Sequence, residues 1–258
     1  MNRSSQHSAI ILRVMPVGEI HAAADILTSE YGMMHVMAYG ARSRRGSLRG
    51  RVIPFARGTI FLYTEPRRET SKVTDFDVSG YALAMRQDLA AYYHASLWAE
   101  VVWKTHASGE MGGAAYDLLY RGLDLLEEPA SGTGDERRSR IQLLSAILLW
   151  RYLAILGLQP DVNACSAGDR PLEVAESRFY NRREGTLVSR EWADPEMVAV
   201  PSGTVRLLNA TREMELARTV DLPVTPQTLA ATRGFVFSAV QDAVEAPLNT
   251  LRVASRYL

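Results

Sequence analysis

A single cysteine, Cys165, stands in 258 residues. That rules out an intramolecular disulfide and, on its own, a structural zinc, which takes four Cys or His ligands. Stability must come from packing. Long apolar runs are missing too. The most apolar stretch, Leu143 to Leu149, is interrupted by Ser145 and soon meets Arg151, well short of the roughly 20 residues a bilayer span needs. The N-terminus from Met1 to Ser8 is polar and leads only into the short run Ala9 to Leu12 before Arg13, too short for a secretory signal, so a cytoplasmic protein is expected.

Catalytic signatures are equally scarce. There is no G-x-x-x-x-G-K-[ST] phosphate loop, no G-x-G-x-x-G after a strand, no G-x-S-x-G elbow and no H-E-x-x-H. His7, His21, His35, His94 and His106 form no pair at metal-ligand spacing, and Cys165 has no histidine beside it. Gly132 and Gly134 sit in a polar stretch that reads as a linker. These absences weigh against an enzyme: no catalytic residue, no metal ligand and no cofactor is expected.

What is present is an ordinary globular composition, 47% hydrophobic and 22% charged, on a chain long enough to favour two domains over one. The 29 Lys and Arg balance the 29 Asp and Glu, which taken alone argues against a nucleic-acid partner. Their placement argues the reverse. Up to Gly80 there are eleven basic residues and seven acidic ones, so the two halves differ in sign and the first has the charge for a phosphate-binding face. A chance excess on a solvated face is the competing reading.

Turn signals divide the first eighty residues into β-rich runs: Ala9 to Val14, Ala23 to Thr28, Met33 to Tyr39, Val52 to Ala56 with Thr59 to Thr64, and Lys72 to Val78. The breaks fall at Pro16/Gly18, Tyr31/Gly32, Gly40 to Gly50, Gly58 and Glu65/Pro66. Five short strands predict a small barrel, and the OB-fold is a common host of single-stranded nucleic acid. After Gly80 the period becomes helical. Leu89, Tyr93, Leu97 and Val101 mark one helix, and Tyr116, Leu119, Leu123 and Leu126 a second that ends before Pro129. A polar loop is expected from Ser131 to Arg138, then a helix from Ile141 to Leu156, apolar nearly all round and closed by Gly157 and Pro160. Residues 161 to 203 break the rhythm as an insertion with a short hairpin, Ser177 to Tyr180 against Thr186 to Ser189. Helices are expected again over Thr204 to Thr219, Pro226 to Val244 and a last segment ending at Leu258. The fold class is therefore α+β: a five-stranded OB-fold barrel over 1–80, then an α-helical bundle domain over 81–258 that carries 161–203 as its insertion.

One charged cluster stands out. Arg42, Arg44, Arg45, Arg49, Arg51 and Arg57 occur in sixteen residues without an acid, interspersed with Gly40, Gly46, Gly50, Ser43 and Ser47. Guanidinium groups fork onto phosphate oxygens, stack on exposed bases, and need glycines where backbone must come close. These six are the candidate nucleic-acid-binding residues. The alternative is a flexible surface loop paired with acids of the helical half. Tyr31, Tyr39, Phe55, Phe61 and Tyr63 are candidates either for base stacking or, at strand spacing, for barrel core.

The residues that carry a family resemblance are Ile11-Leu12-Arg13, Gly18-Glu19, Leu27-Thr28-Ser29-Glu30-Tyr31-Gly32, Ala38-Tyr39-Gly40-Ala41-Arg42, Ser47-Leu48-Arg49-Gly50 and Pro54-Phe55. Further matches run from Arg151 to Pro160 and from Leu251 to Leu258. In this order and spacing the chain resembles the RecO family of bacterial recombination mediators, over nearly its full length. The resemblance implies an OB-fold followed by a helical domain, binding of single- and double-stranded DNA, and annealing of complementary strands. It also implies work with RecR to help load RecA onto DNA coated by single-stranded-DNA-binding protein, and a cytoplasmic, nucleoid-associated location. It implies no nucleotide hydrolysis.

Many members of that family carry a zinc site in the insertion, built from two C-x-x-C pairs. Here Pro160, Val162 and Cys165 keep the approach, Gly168 stands in place of the second cysteine, and Ser189 and Trp192 in place of the second pair. A degenerate, zinc-free finger is expected, packed by Phe179, Tyr180, Leu187 and Trp192, with Cys165 as a small buried hydrophobe. A partner implied by the resemblance is the acidic, apolar-ended C-terminal tail of single-stranded-DNA-binding protein. Arg137, Arg138 and Arg140 are candidate rim residues for it, or simply a solvated helix start. Two other functions remain open on sequence alone: an adaptor of the repair machinery without its own DNA binding, and an enzyme of a type the motifs do not reveal.

Overall fold

The structure is a computed structural model that describes residues 4–65, 70–128, 134–173, 176–254 and 256–258. Arg67 and Arg68, Pro66 of the expected turn, Pro129, and the start of the polar loop from Ser131 lie outside the described residues. The chain divides into two compact units, Met1–Glu128 and Pro129–Leu258.

The first unit is built on five strands, β1 (Ser4–Val17), β2 (His21–Thr28), β3 (Gly32–Ala38), β4 (Arg57–Glu65) and β5 (Thr70–Gly80). They close in the order β1-β2-β3-β5-β4, with β4 returning antiparallel to β1 and only β3 and β5 running parallel. This is OB-fold connectivity. Alternation explains the inside of the barrel: Ala9, Ile11, Ala22, Ala24, Ile26, Val36, Ala38, Ile60, Leu62, Val73 and Phe76 form one buried cluster. Ile10 and Leu27, opposite each other in the β1–β2 register, are buried outside that cluster. Their burial reflects two helices, α1 (Leu89–Thr105) and α2 (Gly109–Glu127), packed against the barrel strands. Asp88 starts α1 by accepting hydrogen bonds from the backbone N–H groups of Ala90 and Ala91.

The expected strand segment Val52 to Ala56 is irregular, and β4 begins only at Arg57. Pro54 has no N–H to give a ladder and Phe55 takes φ 66°, which turns the chain out of strand geometry. Two bonds still tie the segment to β1: the Phe55 N–H donates to the Ile11 carbonyl at 2.7 Å, and the Ile11 N–H to that of Ala56 at 3.0 Å.

The second unit centres on α3 (Gly134–Ile155), which packs against α6 (Pro226–Val244) and α5 (Leu216–Thr219). Helix α3 begins inside the expected polar loop, because Asp135 and Glu136 in its first turn suit the positive end of the helix dipole. The expected helix over Thr204 to Thr219 is two pieces, α4 (Ser202–Ala210) and α5. The break is held by Arg151, whose guanidinium donates to the carbonyls of Thr211 and Met214. A short α7 (Asn249–Ala254) follows. The insertion contains β6 (Ala164–Cys165) paired with β7 (Arg170–Pro171), and a three-stranded sheet of β8 (Arg178–Asn181), β9 (Thr186–Ser189) and β10 (Val198–Val200). Phe235 of α6 lies against both Trp150 of α3 and Tyr180 of β8, with ring centroids 5.6 and 5.2 Å away.

Candidate nucleic-acid interface

Between β3 and β4 the chain makes a run of consecutive turns. N–H to carbonyl bonds link Ser43 to Gly40, Gly46 to Ser43, Arg49 to Gly46, and Arg51 and Val52 to Leu48. Gly40 and Gly50 take φ near 73° and 72°, and a side chain on Gly46 would collide with the Gly40 carbonyl. Ala41, Leu48 and Val52 turn inward and join the barrel core. Of the pairing with acids of the helical half that the alternative reading expects, this segment makes one instance among the described residues, Arg57 with Asp124. The segment is a packed cap whose apolar residues anchor it and from which Arg42, Arg44, Arg45 and Arg49 face out.

The six arginines separate into two groups. Arg42, Arg44, Arg45 and Arg49 are exposed, and none makes an ion pair among the described residues. Arg42 donates to the Gly18 carbonyl at 3.1 Å and Arg49 to that of Arg44 at 3.2 Å, contacts that orient guanidiniums without neutralising them. Arg51 is half-buried, paired with Asp75 of β5 at 2.8 Å and bonded to the carbonyls of Ser47 and Phe76. Arg57 is buried at 5% exposure. Its guanidinium meets Asp124 of α2 at 2.6 Å, donates to the Tyr120 carbonyl, and lies 5.0 Å from the Tyr120 ring centroid. Proximity in sequence thus grouped Arg57 with residues from which the structure separates it.

The candidate aromatics separate as well. Phe55 is buried at 2%, and Phe61 and Tyr63 are half-buried. Tyr31 and Tyr39 are exposed at 61% and 53%. Tyr39 immediately precedes the cap, whereas Tyr31 lies at the other end of β3, beside Glu30 and His7.

Residues 1–81 match the profile of the recombination protein O N-terminal domain, and residues 86–252 that of its C-terminal domain. The chain belongs to the RecO family. Among its relatives, the DNA repair protein RecO of Bifidobacterium adolescentis is 25% identical over 253 residues, covering 96% of this chain and 98% of the relative. That of Desulforudis audaxviator is 30% identical over 215 residues, covering 83% and 81%. That of Gloeobacter violaceus is 29% identical over 191 residues, covering 74% and 69%. Membership in RecO makes this a non-enzymatic DNA-repair protein. No described helix is long and apolar enough to cross a membrane.

The RecO zinc site does not fit the residues present. A side chain placed on Gly168 would lie 3.8 Å from the Cys165 sulfur, and the Ser189 hydroxyl is 3.8 Å from it. Two of the replaced corners therefore still surround the remaining thiol, but only one corner carries a metal ligand. The sulfur instead accepts the Ser189 N–H at 3.3 Å. Burial pushes this thiol up, yet hydrogen bonds from Ser189, Gly168 and Ala167 outweigh it and hold the thiol below its ordinary value. Cys165, Leu172 and Val188 form a small core with Phe179, Ala193 and Met197 around it. Trp192, expected to pack there, is 53% exposed.

The residue that gathers the insertion is Arg178, which sequence reasoning missed. Only 2% exposed, it donates from Nε to the Val162 carbonyl at 2.9 Å and from Nη1 to that of Glu176 at 2.8 Å. Its Nη2 reaches the carbonyls of Leu172 at 3.2 Å and Glu173 at 2.9 Å. One buried guanidinium thus binds carbonyls on both sides of the β6–β7 hairpin. No sequence signal marks it, because these carbonyl acceptors are backbone atoms that any residue carries.

Proposed function

We propose that the protein is a recombination mediator that binds single- and double-stranded DNA through the cap on its barrel and anneals complementary strands. The observation that carries this reading is the set Arg42, Arg44, Arg45 and Arg49: four exposed guanidiniums, without acidic partners among the described residues, on a core-anchored cap of an OB barrel. Two complementary strands repel through their phosphates, and a surface that neutralises both lowers that barrier without covalent chemistry. Arg51 stands at the edge of this set and Arg57 beneath it as support. The functional division is 1–80 for DNA, with α1 and α2 bracing the barrel, and 81–258 for partners, within which 161–203 is a zinc-free finger.

The partners in this reading are RecR and, through it, RecA, on DNA coated by single-stranded-DNA-binding protein in a bacterial cytoplasm, close to the nucleoid. For the acidic tail of the coating protein, the second unit offers a cavity of about 560 Å³ lined by Leu143, Val220, Leu222 and Leu229, with Arg140 paired to Asp221 at 3.1 Å. Asp135 and Glu136 also line it, so the tail's apolar end is the part suited to this seat. Arg138 is turned to the Arg256 carbonyl at 2.6 Å.

An annealing assay with complementary fluorescent oligonucleotides tests the reading. Wild-type protein is expected to accelerate duplex formation, and a variant with Arg42, Arg44, Arg45 and Arg49 all replaced by Ala is expected to lose most of that acceleration while keeping its melting temperature. Equal annealing by the folded variant refutes the assignment.

A further inference from the structure

The outward face of β1, β2 and β3 is not uniform along its length. At one end Arg13, Asp25 and His35 form a cross-strand row, with Arg13 and His35 each 2.8 Å from Asp25. Trp103 of α1 closes over that row, 3.8 Å from the Arg13 guanidinium. Two residues along, Met15, Ala23 and Met37 make the next row, and beyond it come Val17 and His21, with Tyr39, just past the end of β3, against the His21 ring. This last row is open: Tyr39 is 53% and Val17 37% exposed, and Ile20 in the adjoining turn is 48% exposed.

Tyr39 is not loose in that opening. Its ring meets His21 edge to face, with centroids 5.1 Å apart and planes at 78°. The imidazole is itself fixed, because its Nδ1 accepts the N–H of Gly40 at 3.0 Å. The same corner holds the start of the arginine cap: the Arg42 N–H donates to the Ile20 carbonyl at 3.0 Å, and the Arg42 side chain to that of Gly18 at 3.1 Å. An exposed, oriented aromatic ring therefore sits three residues from the first of four guanidiniums that have no acidic partner among the described residues.

We propose that Tyr39, braced by His21, is a base-stacking platform that gives the arginine cap a preference for single-stranded over double-stranded DNA. This rests on the proposed DNA-binding role of the cap. Phosphates are common to both forms, so arginines alone hold either. Only in a single strand is a base face free to lie on an aromatic ring. Tyr31 supplies the contrast. It is as exposed and contacts His7 in the same edge-to-face manner at 5.1 Å, but it stands beside Glu30 at the opposite end of β3 from the cap.

Fluorescence anisotropy with an oligo(dT) strand and a mixed-sequence duplex tests the proposal on the full-length protein. Tyr39→Ala is expected to weaken oligo(dT) binding roughly 5- to 100-fold. Duplex affinity should stay within about twofold, and the salt dependence on oligo(dT) should not change, because stacking releases no counterions. Tyr39→Leu, which keeps apolar bulk without a π-face, should show the same loss; Tyr39→Trp should restore binding, and Tyr31→Ala should have no effect. Unchanged oligo(dT) affinity in Tyr39→Ala, or an equal loss on duplex, overturns the platform. If instead the quadruple arginine variant binds both forms as wild type does, or wild type binds neither, the role of the cap fails first and the platform with it.

Discussion

Gly32 and Gly112 meet backbone to backbone, the tight turn between β2 and β3 lying directly against the first turn of α2. A side chain on Gly32 would overlap the Ala107 carbonyl and stand 2.8 Å from the Ser108 Cα, and one on Gly112 would overlap the Gly32 Cα. The Met33 N–H completes the joint by donating to the Ala107 carbonyl at 2.9 Å. Gly32→Ala should therefore destabilise the first unit by roughly 2–4 kcal/mol, since it adds overpacking to the cost of φ 72°. Urea unfolding should show the drop, and Gly18→Ala, which meets nothing within 4 Å, should show only the backbone part of it.

Arg178 should matter more to stability than any cap arginine. Removing its guanidinium strands carbonyls of Val162, Leu172, Glu173 and Glu176, and each buried, unmatched acceptor costs about 1–3 kcal/mol. Arg178→Met is expected to lower the unfolding midpoint markedly, while Arg44→Ala leaves it nearly unchanged. Comparable small effects from both would show that the insertion is held by other means.

Zinc should play no part in this. Metal analysis of the purified protein is expected to find no stoichiometric zinc, and a strong chelator to leave the melting temperature unchanged. One zinc per chain retained through mild chelation would contradict the reading of Cys165, Gly168, Ser189 and Trp192.

Much of this architecture was legible in the sequence, for physical reasons that vary by element. The strands showed because alternating residues such as Ile26 and Val36 face one core, and period two survives in a linear reading. Helix α3 showed where it is apolar, from Ile141, but not at Gly134, where only its first-turn acids announce it. Charge made the arginine cluster visible. Its sorting was not visible, because the burial of Arg57 depends on Asp124, 67 residues away, and the anchoring of the cap depends on where Ala41, Leu48 and Val52 point. Of five candidate aromatics, only burial distinguished Tyr39 from Phe55. Arg178 was illegible because its partners are carbonyls and its role is taken up where zinc ligands have been lost.

Alkaline pH should reveal the packing of α2 on the barrel. Burial, with Tyr120 beside it, pushes the Tyr116 hydroxyl from 10.0 up to about 12. Because the folded pKa is the higher one, the unfolded chain loses this proton first. The contribution of Tyr116 is thus fully present below pH 10 and is lost as pH rises toward 12. Stability measured by urea unfolding should fall across that window, and less steeply in Tyr116→Phe.

The most direct test of the central claim is the salt dependence of single-strand binding, wild type against the variant with Arg42, Arg44, Arg45 and Arg49 replaced by Ala. Four neutralised phosphates, at roughly 0.7 counterions each, correspond to a log–log slope steeper in wild type by about 3. The account predicts that the variant stays folded, binds oligo(dT) more weakly, and shows a slope shallower by that amount. A folded variant with the affinity and slope of wild type would contradict it and place the DNA contact elsewhere on the protein.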